Sequence, residues 1–194
     1  YTLKKYRAQG NNYRKVVVLG SDETAKNAIK VFNQKKELGY IISGIFSDNQ
    51  LPNNEFYKGA IENCYSFILE EDIDEVYNLA ADMGGMGFIE NNKAACMLSV
   101  LINTHLLMAA KDHGTKRFFY ASSACVYNGS KQDSEDNPGL KEEDAYPAMP
   151  EDGYGWEKLF SERMCRHFYE DYGIETRVAR YHNVYGPLGT WDGG

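Results

Sequence analysis

Short apolar runs and amphipathic stretches alternate along this chain. The run Lys15-Val-Val-Val-Leu19, bounded by Gly20, predicts a buried strand. The amphipathic stretch over 22–38 predicts a helix, which Gly39 can close in the left-handed conformation. The pattern then repeats as a strand over 40–47, a helix over 61–70 and a strand over 75–79. A glycine-rich loop, a long helix over 89–113 ending at Gly114, and a strand over 116–121 follow. A polar stretch of roughly thirty residues, longer than ordinary connections, leads to a helix over 154–172. Its Phe160, Met164 and Phe168 recur every fourth residue and predict a core-facing stripe. A final strand is expected over 175–181, and the sequence holds no internal repeat.

Alternation of this kind predicts an α/β fold, a doubly wound parallel sheet with helices on both faces. Ligands of such sheets bind beyond the carboxyl ends of the strands. The residues with chemical potential fall there: Gly20 after the first strand, Asp48 after the second, Met83-Gly84-Gly85-Met86-Gly87 after the third, Ser123 and Cys125 after the fourth, and Asn183 after the last. With 194 residues, 43% hydrophobic and 25% charged, the chain can build one well-buried domain but not two. The expected organisation is a polar leader over 1–14 and one Rossmann-like nucleotide-binding domain over 15–194.

The net charge of -7 argues against a nucleic-acid partner, which would need clustered Lys and Arg. Cys64, Cys96, Cys125 and Cys165 stand far apart without a Cys-x-x-Cys pair, which argues against a zinc site and a disulfide framework and for a reducing cytoplasm. The sequence shows no signal peptide. Its most apolar stretch, 94–110, is interrupted by Ser99, Asn103, Thr104 and His105, so a core helix is expected there, not a membrane span. The basic leader from Lys4 to Lys15 reads as a solvated tail, with contact to an anionic membrane surface as the alternative.

The sharpest chemical signal is Tyr154-Gly-Trp-Glu-Lys158, preceded by the hydroxyl-rich strand end at Ser122 and Ser123. A Tyr and a Lys four apart share a helical face. An ammonium there can lower the phenol pKa and bind a ribose, so that the phenolate takes a proton from a sugar hydroxyl as hydride leaves the same carbon. Tyr1 and Lys5 repeat the spacing by chance, so context singles out Tyr154 and Lys158.

The order of these segments resembles the extended short-chain dehydrogenase/reductases, and among them the GDP-mannose 3,5-epimerases. The resemblance covers 78–194 and rests on Asn78-Leu-Ala-Ala-Asp-Met-Gly-Gly-Met-Gly-Phe88, Arg117-Phe-Phe-Tyr-Ala-Ser-Ser-Ala-Cys125, Tyr154 with Lys158, and His182-Asn-Val-Tyr-Gly-Pro-Leu-Gly-Thr-Trp191. It implies NAD as cofactor, held through Tyr154 and Lys158, and a nucleotide-sugar substrate, a GDP-hexose, contacted by Gly84, Gly85, Ser123 and Asn183; Gly20 and Asp48, outside the resemblance, are cofactor candidates by their places at the ends of the first two strands, with a capped helix start and a surface-turn acid as the alternatives. It implies catalysis by Tyr154, Lys158 and Ser123, with Cys125 as the epimerising base activated by a cationic neighbour, and a homodimer. A 4,6-dehydratase would carry an acidic pair where Ala124 and Cys125 stand. Relatives have a further substrate lobe beyond the position of Gly194, with a partner Lys, so these residues alone are expected to turn over little. Asp192 stands where many relatives carry a basic residue.

Residues 1–77 resemble instead the nucleotide-binding region of bacterial undecaprenyl-phosphate sugar phosphotransferases. That opens a second reading, a non-catalytic nucleotide-binding module attached to such a membrane enzyme, with a junction near 77. The cofactor loop is poor in glycine: Gly20-Ser-Asp-Glu-Thr-Ala25 sets Asp22 and Glu23 where a pyrophosphate would lie, and the acid expected near Gly59 and Ala60 to hold an adenine is missing. Replacing Asp22 and Glu23 together by Gly should therefore tighten NAD binding in a calorimetric titration. Equal or weaker binding by the double variant would clear the two carboxylates of blame.

Overall fold

The computed structural model describes Arg7 and residues 13–182, apart from 21, 22, 50, 52, 53, 83, 133–135, 137 and 138. The described strands are β1 (Arg14–Leu19), β2 (Tyr40–Phe46), β3 (Tyr57–Gly59), β4 (Glu75–Asn78), β5 (Arg117–Ser123) and β6 (Glu175–Tyr181). They form one sheet in the order β3-β2-β1-β4-β5-β6, with every neighbouring pair parallel. The winding reverses between β1 and β4, which is the expected doubly wound, Rossmann-like arrangement. The helices are α1 (Glu23–Gln34), α2 (Cys64–Glu70), α3 (Met86–Asn91), α4 (Lys93–Leu98), α5 (Val100–His113) and α6 (Asp152–Tyr172).

Successive strand residues point to opposite faces, and each face has its own helices. Val17, Leu19, Val76, Phe118 and Tyr120 pack with Ile68 of α2, Leu106, Leu107 and Ala110 of α5, and Cys165 of α6. Val16, Val18, Ile42 and Ile45 pack on the other side with Ala25, Ile29 and Phe32 of α1. Burying each large apolar side chain contributes about 1.5–3 kcal/mol. Buried polar contacts fix the alignment: Asn78 Nδ2 donates to Asn103 Oδ1 at 3.2 Å, joining β4 to α5. Glu75 is buried at the start of β4 between the guanidinium groups of Arg14 and Arg117.

Several expectations are corrected. The first helix stops at Gln34, and a 3-10 turn, Lys36–Leu38, carries the chain to Gly39, whose φ is 73°. The long helix is three helices. Asn92 breaks it first, where its side-chain amide donates to the Phe88 carbonyl at 3.0 Å, and Ser99 breaks it again, where its hydroxyl accepts from Asp82 N–H at 2.8 Å. Helical residues 93–113 are apolar and long enough to span a bilayer by composition, yet Leu106, Leu107, Ala109 and Ala110 are buried in the sheet's core, as expected of a core helix. Strand β3 has only three residues and no apolar run, so no periodicity announced it. Arg7 is not a solvated tail residue: a Cβ on Gly39 would lie 2.7 Å from Arg7 Cδ, so the two are in contact.

Phe160 is 56% exposed and leaves the predicted stripe, while Met164 and Phe168 do pack on the core and Leu159 takes the buried position. Phe118→Ala should cost about 3–5 kcal/mol in urea denaturation, because it empties a fully buried site, whereas Phe160→Ala should stay within about 0.5 kcal/mol. Comparable losses for the two would contradict this assignment of the core.

Candidate active site

The site occupies the carboxyl ends of the strands, as the topology requires. Gly20 ends β1 with φ of 118° and donates its N–H to the Phe46 carbonyl at 2.9 Å. A Cβ there would be strained by the backbone and would lie 3.3 Å from the Leu79 carbonyl oxygen. Glycine is therefore the residue that this turn requires. Beside it lies a cavity of about 510 Å³ lined by Gly20, Ser47, Asp48, Asn49, Leu79 and Asp82 among others. A second cavity, of about 560 Å³, shares Asp48, Ile61 and Ile102 with the first and is closed by Ala60, Glu62, Tyr65 and His105. Asp48 Oδ1 accepts from Ile61 N–H at 3.0 Å, which fixes the carboxylate across the two cavities. An acid does line this cavity two residues beyond Ala60, Glu62, on the short 3-10 turn Ile61–Asn63. Only the path of that turn, not residue identity, could have revealed it.

The reactive side chains gather on the far side of the loop after β4. Tyr154 packs with Ile89 of α3, Cys96 of α4 and Cys125. Ser123 ends β5, and its Oγ accepts from Cys125 N–H at 3.2 Å, which starts the 3-10 turn Ala124–Val126. The Ser123 hydroxyl lies near enough to the Tyr154 phenol to favour its ionisation. Ser122, one residue back, faces the opposite side, where it donates to Glu162 Oε1 at 2.6 Å, and that carboxylate is held by Arg180 of β6 at 2.7 Å. Ser122 therefore ties β5, β6 and α6 together and stays out of the site. Gly84 and Gly85 lead into α3, and the loop between β4 and α3 links the cavity residue Asp82 to Ile89 against Tyr154.

Two electrostatic expectations are corrected. Burial pushes the Tyr154 phenol up to about 12, partly opposed by the nearby Ser123 hydroxyl. The Lys158 ammonium does not lower it, being 5.5 Å from the ring centroid, donating to the Ala121 carbonyl at 3.0 Å and lying 4.8 Å over the Tyr120 ring. The Cys125 thiol is likewise raised, first by burial and then by the carboxylate of Glu151, only partly opposed by Ser123. Its neighbour is an anion, where a cation was expected. Asn183, Met83 and Asp22 lie outside the described residues, as does the side chain of Glu23.

A sequence model of the NAD dependent epimerase/dehydratase family matches residues 2–193. The chain belongs to the NAD-dependent epimerase/dehydratase family. That match spans residue 77 without a break, so it gives no support to a junction there or to a separate origin for 1–77. Relatives within reach of this epimerase/dehydratase chain include the GDP-mannose 3,5-epimerase of Arabidopsis thaliana, 53% identical over 135 residues, which are 69% of this chain and 35% of that protein. GDP-mannose 3,5-epimerase 1 of rice (Oryza sativa subsp. indica) is 46% identical over 169 residues, 82% of this chain and 44% of the relative. The chain thus spans less than half the length of both. In structure it is similar to epimerase Mth375 of Methanothermobacter thermautotrophicus, with a TM-score of 0.74 and 22% identity over 96% of this chain and 56% of that one. At that identity the likeness establishes the fold.

The environment of Cys125 sets its reactivity. With Cys64, Cys96 and Cys165 buried, iodoacetamide should label Cys125 first, and the pH midpoint of its labelling rate should lie above that of a free thiol. Glu151→Gln removes one of the charges that raises the thiol, so the midpoint should fall. Mass spectrometry of the labelled peptide across pH reads both; a wild-type midpoint below that of a free thiol would overturn this account.

Proposed function

We propose that this chain carries the coenzyme site and oxidation centre of an NAD-dependent nucleotide-sugar epimerase, acting on a GDP-hexose as a GDP-mannose 3,5-epimerase does. The observation that carries the reading is the packing of Tyr154, Ser123 and Cys125 into one cluster over Lys158. The glycine cradle at Gly20, the Asp48 carboxylate and Glu62 fit a dinucleotide, with Asp48 and Glu62 as acceptors for its hydroxyl and amino groups. Bound there, NAD supplies reversible hydride acceptance.

The chain's own residues handle the protons. Tyr154 takes the proton of the sugar's C4 hydroxyl, and Ser123 hydrogen-bonds the same oxygen. The phenol must ionise from a high starting pKa, and the Lys158 ammonium is the cation placed to assist it once a ligand ribose draws it from the Ala121 carbonyl. A ketone at C4 acidifies the protons at C3 and C5; Cys125 as thiolate removes each in turn, an acid on the opposite face of the ring returns a proton with inversion, and return of the hydride with the proton held by Tyr154 restores the C4 alcohol. Gly84 and Gly85 let main-chain amides approach the sugar, and Asn183 contacts the nucleotide sugar.

The assembly proposed is a homodimer. Met97, Leu98 and Leu101 on α4 and α5, and Trp156 and Phe160 on α6, are large exposed apolar side chains on helices that pack together, a face suited to a second copy. Four unpaired cysteines suit a cytoplasmic location.

The test uses the full-length gene product with GDP-mannose in deuterated water, followed by mass spectrometry of the sugar. Tyr154→Phe should lower oxidation and deuterium uptake together by about 100- to 10,000-fold. Cys125→Ala should keep Tyr154-dependent formation of the 4-keto sugar but lose exchange at C3 and C5. Undiminished uptake in Cys125→Ala would assign that thiol to packing and leave the epimerase reading without its base.

A further inference from the structure

Beneath the proposed catalytic pair lies an acid that the mechanism above does not use. Glu157 precedes Lys158 in α6, and each is 3% exposed. Its Oε1 accepts from the Tyr120 hydroxyl and from Ser161 Oγ, both at 3.0 Å. Its Oε2 is buried with no hydrogen-bond partner and stands 3.8 Å from Lys158 Nζ. A buried carboxylate oxygen left without a donor costs free energy unless a charge nearby repays it. Lys158 is in the same position: burial disfavours its ammonium, and its contacts are one carbonyl and two aromatic faces.

We propose that Glu157 is a positioning residue that serves as the buried counter-ion of Lys158, holding its charge without tying up its protons. At 3.8 Å the field of the carboxylate is strong, yet no hydrogen bond is formed. One ammonium proton goes to Ala121, and the others stay available for a ligand's hydroxyl groups. Tyr120 and Ser161 pin Oε1, so Oε2 cannot turn away. The other titratable groups facing the pair are Tyr120 from β5, Cys96 from α4, and Tyr154 and Cys165 of α6, all held protonated by burial. Glu162 is matched by Arg180. Burial also raises the Glu157 carboxyl, and the Lys158 charge opposes that rise just as the Glu157 charge opposes the fall at Lys158, so at 3.8 Å each holds the other ionised and Glu157 is the anion that faces Lys158 among the described residues. This inference rests on the functional reading above only for the consequence that the charge serves Tyr154.

Lysine labelled with ¹⁵N at Nζ allows the Lys158 proton to be followed by NMR in the chain itself, with Lys158→Met identifying the signal. In Glu157→Gln, which keeps an acceptor for Tyr120 and Ser161, the proton affinity of Lys158 should fall roughly 10- to 1,000-fold. An unchanged Lys158 titration overturns the inference, whatever the activity. Should Glu157→Gln fail to fold, adding Lys158→Met should restore folding, because the unpaired ammonium is gone; a double variant as unstable as the single one overturns it equally. In the full-length protein, the alkaline limb of kcat against pH, where Lys158 loses its proton, should move to lower pH in Glu157→Gln with little change in KM. If Tyr154→Phe leaves turnover intact, the functional reading falls, while the Lys158 titration still decides the counter-ion.

Discussion

The first turn of α6 lies so close to the end of β5 that two glycines are needed to permit it. A Cβ on Gly155 would collide with the Cys125 carbonyl oxygen, and a Cβ on Gly153 would lie 2.8 Å from the Lys93 carbonyl of α4. The Cys125 carbonyl that excludes a side chain at Gly155 accepts the Glu151 N–H at 2.8 Å, so contact and hydrogen bond fix the same point. With the helix start held between β5 and α4, Tyr154 has nowhere to go but against Ser123, Cys125 and Cys96. One turn later Lys158 is delivered over Tyr120. Rosters of reactive groups matter less here than the backbone approach that packs them.

β1 and β5 were legible because the sheet is buried on both faces, which turns them into short apolar runs that stand out from their surroundings, whereas the three residues of β3 were not. The last strand, over 175–181, was placed at its observed bounds. The breaks at Asn92 and Ser99 were not legible, since they depend on side-chain contacts with Phe88 and Asp82 that no periodicity encodes. Phe160 had the right spacing for the core, but spacing says only that residues share a face, and at Phe160 the helix surface has turned past its neighbours. At the site, Tyr154, Lys158, Ser123 and Cys125 came from motif and order. The charges around them did not. Glu157 drew no expectation from the sequence, and its place beneath Tyr120 is what makes it a buried acid.

With a raised phenol and a raised thiol, the free site holds its protons at neutral pH. Both groups are poor bases until their surroundings change. In the function proposed above, a ligand at Lys158 would alter its hydrogen bonds and bring its own charges, so the same side chains would become active where a substrate sits and stay quiet in solvent. Such coupling of reactivity to occupancy follows from burial alone, without any hinge or lid.

The central place of β1 has a consequence for how the chain folds. Its outer neighbour β2 arrives soon after it in sequence, but its other edge is filled by β4, and Lys15 N–H reaches Asp74 across 59 positions. Until residues 75–78 have been synthesised, the apolar edge of β1 has no native partner. The pocket around Tyr154 waits longer still, for α6. Contacts so distant in sequence slow folding and leave strand edges open to wrong neighbours. A nascent chain of this design should engage holding chaperones through its first half and release them as the second half of the sheet zips onto β1.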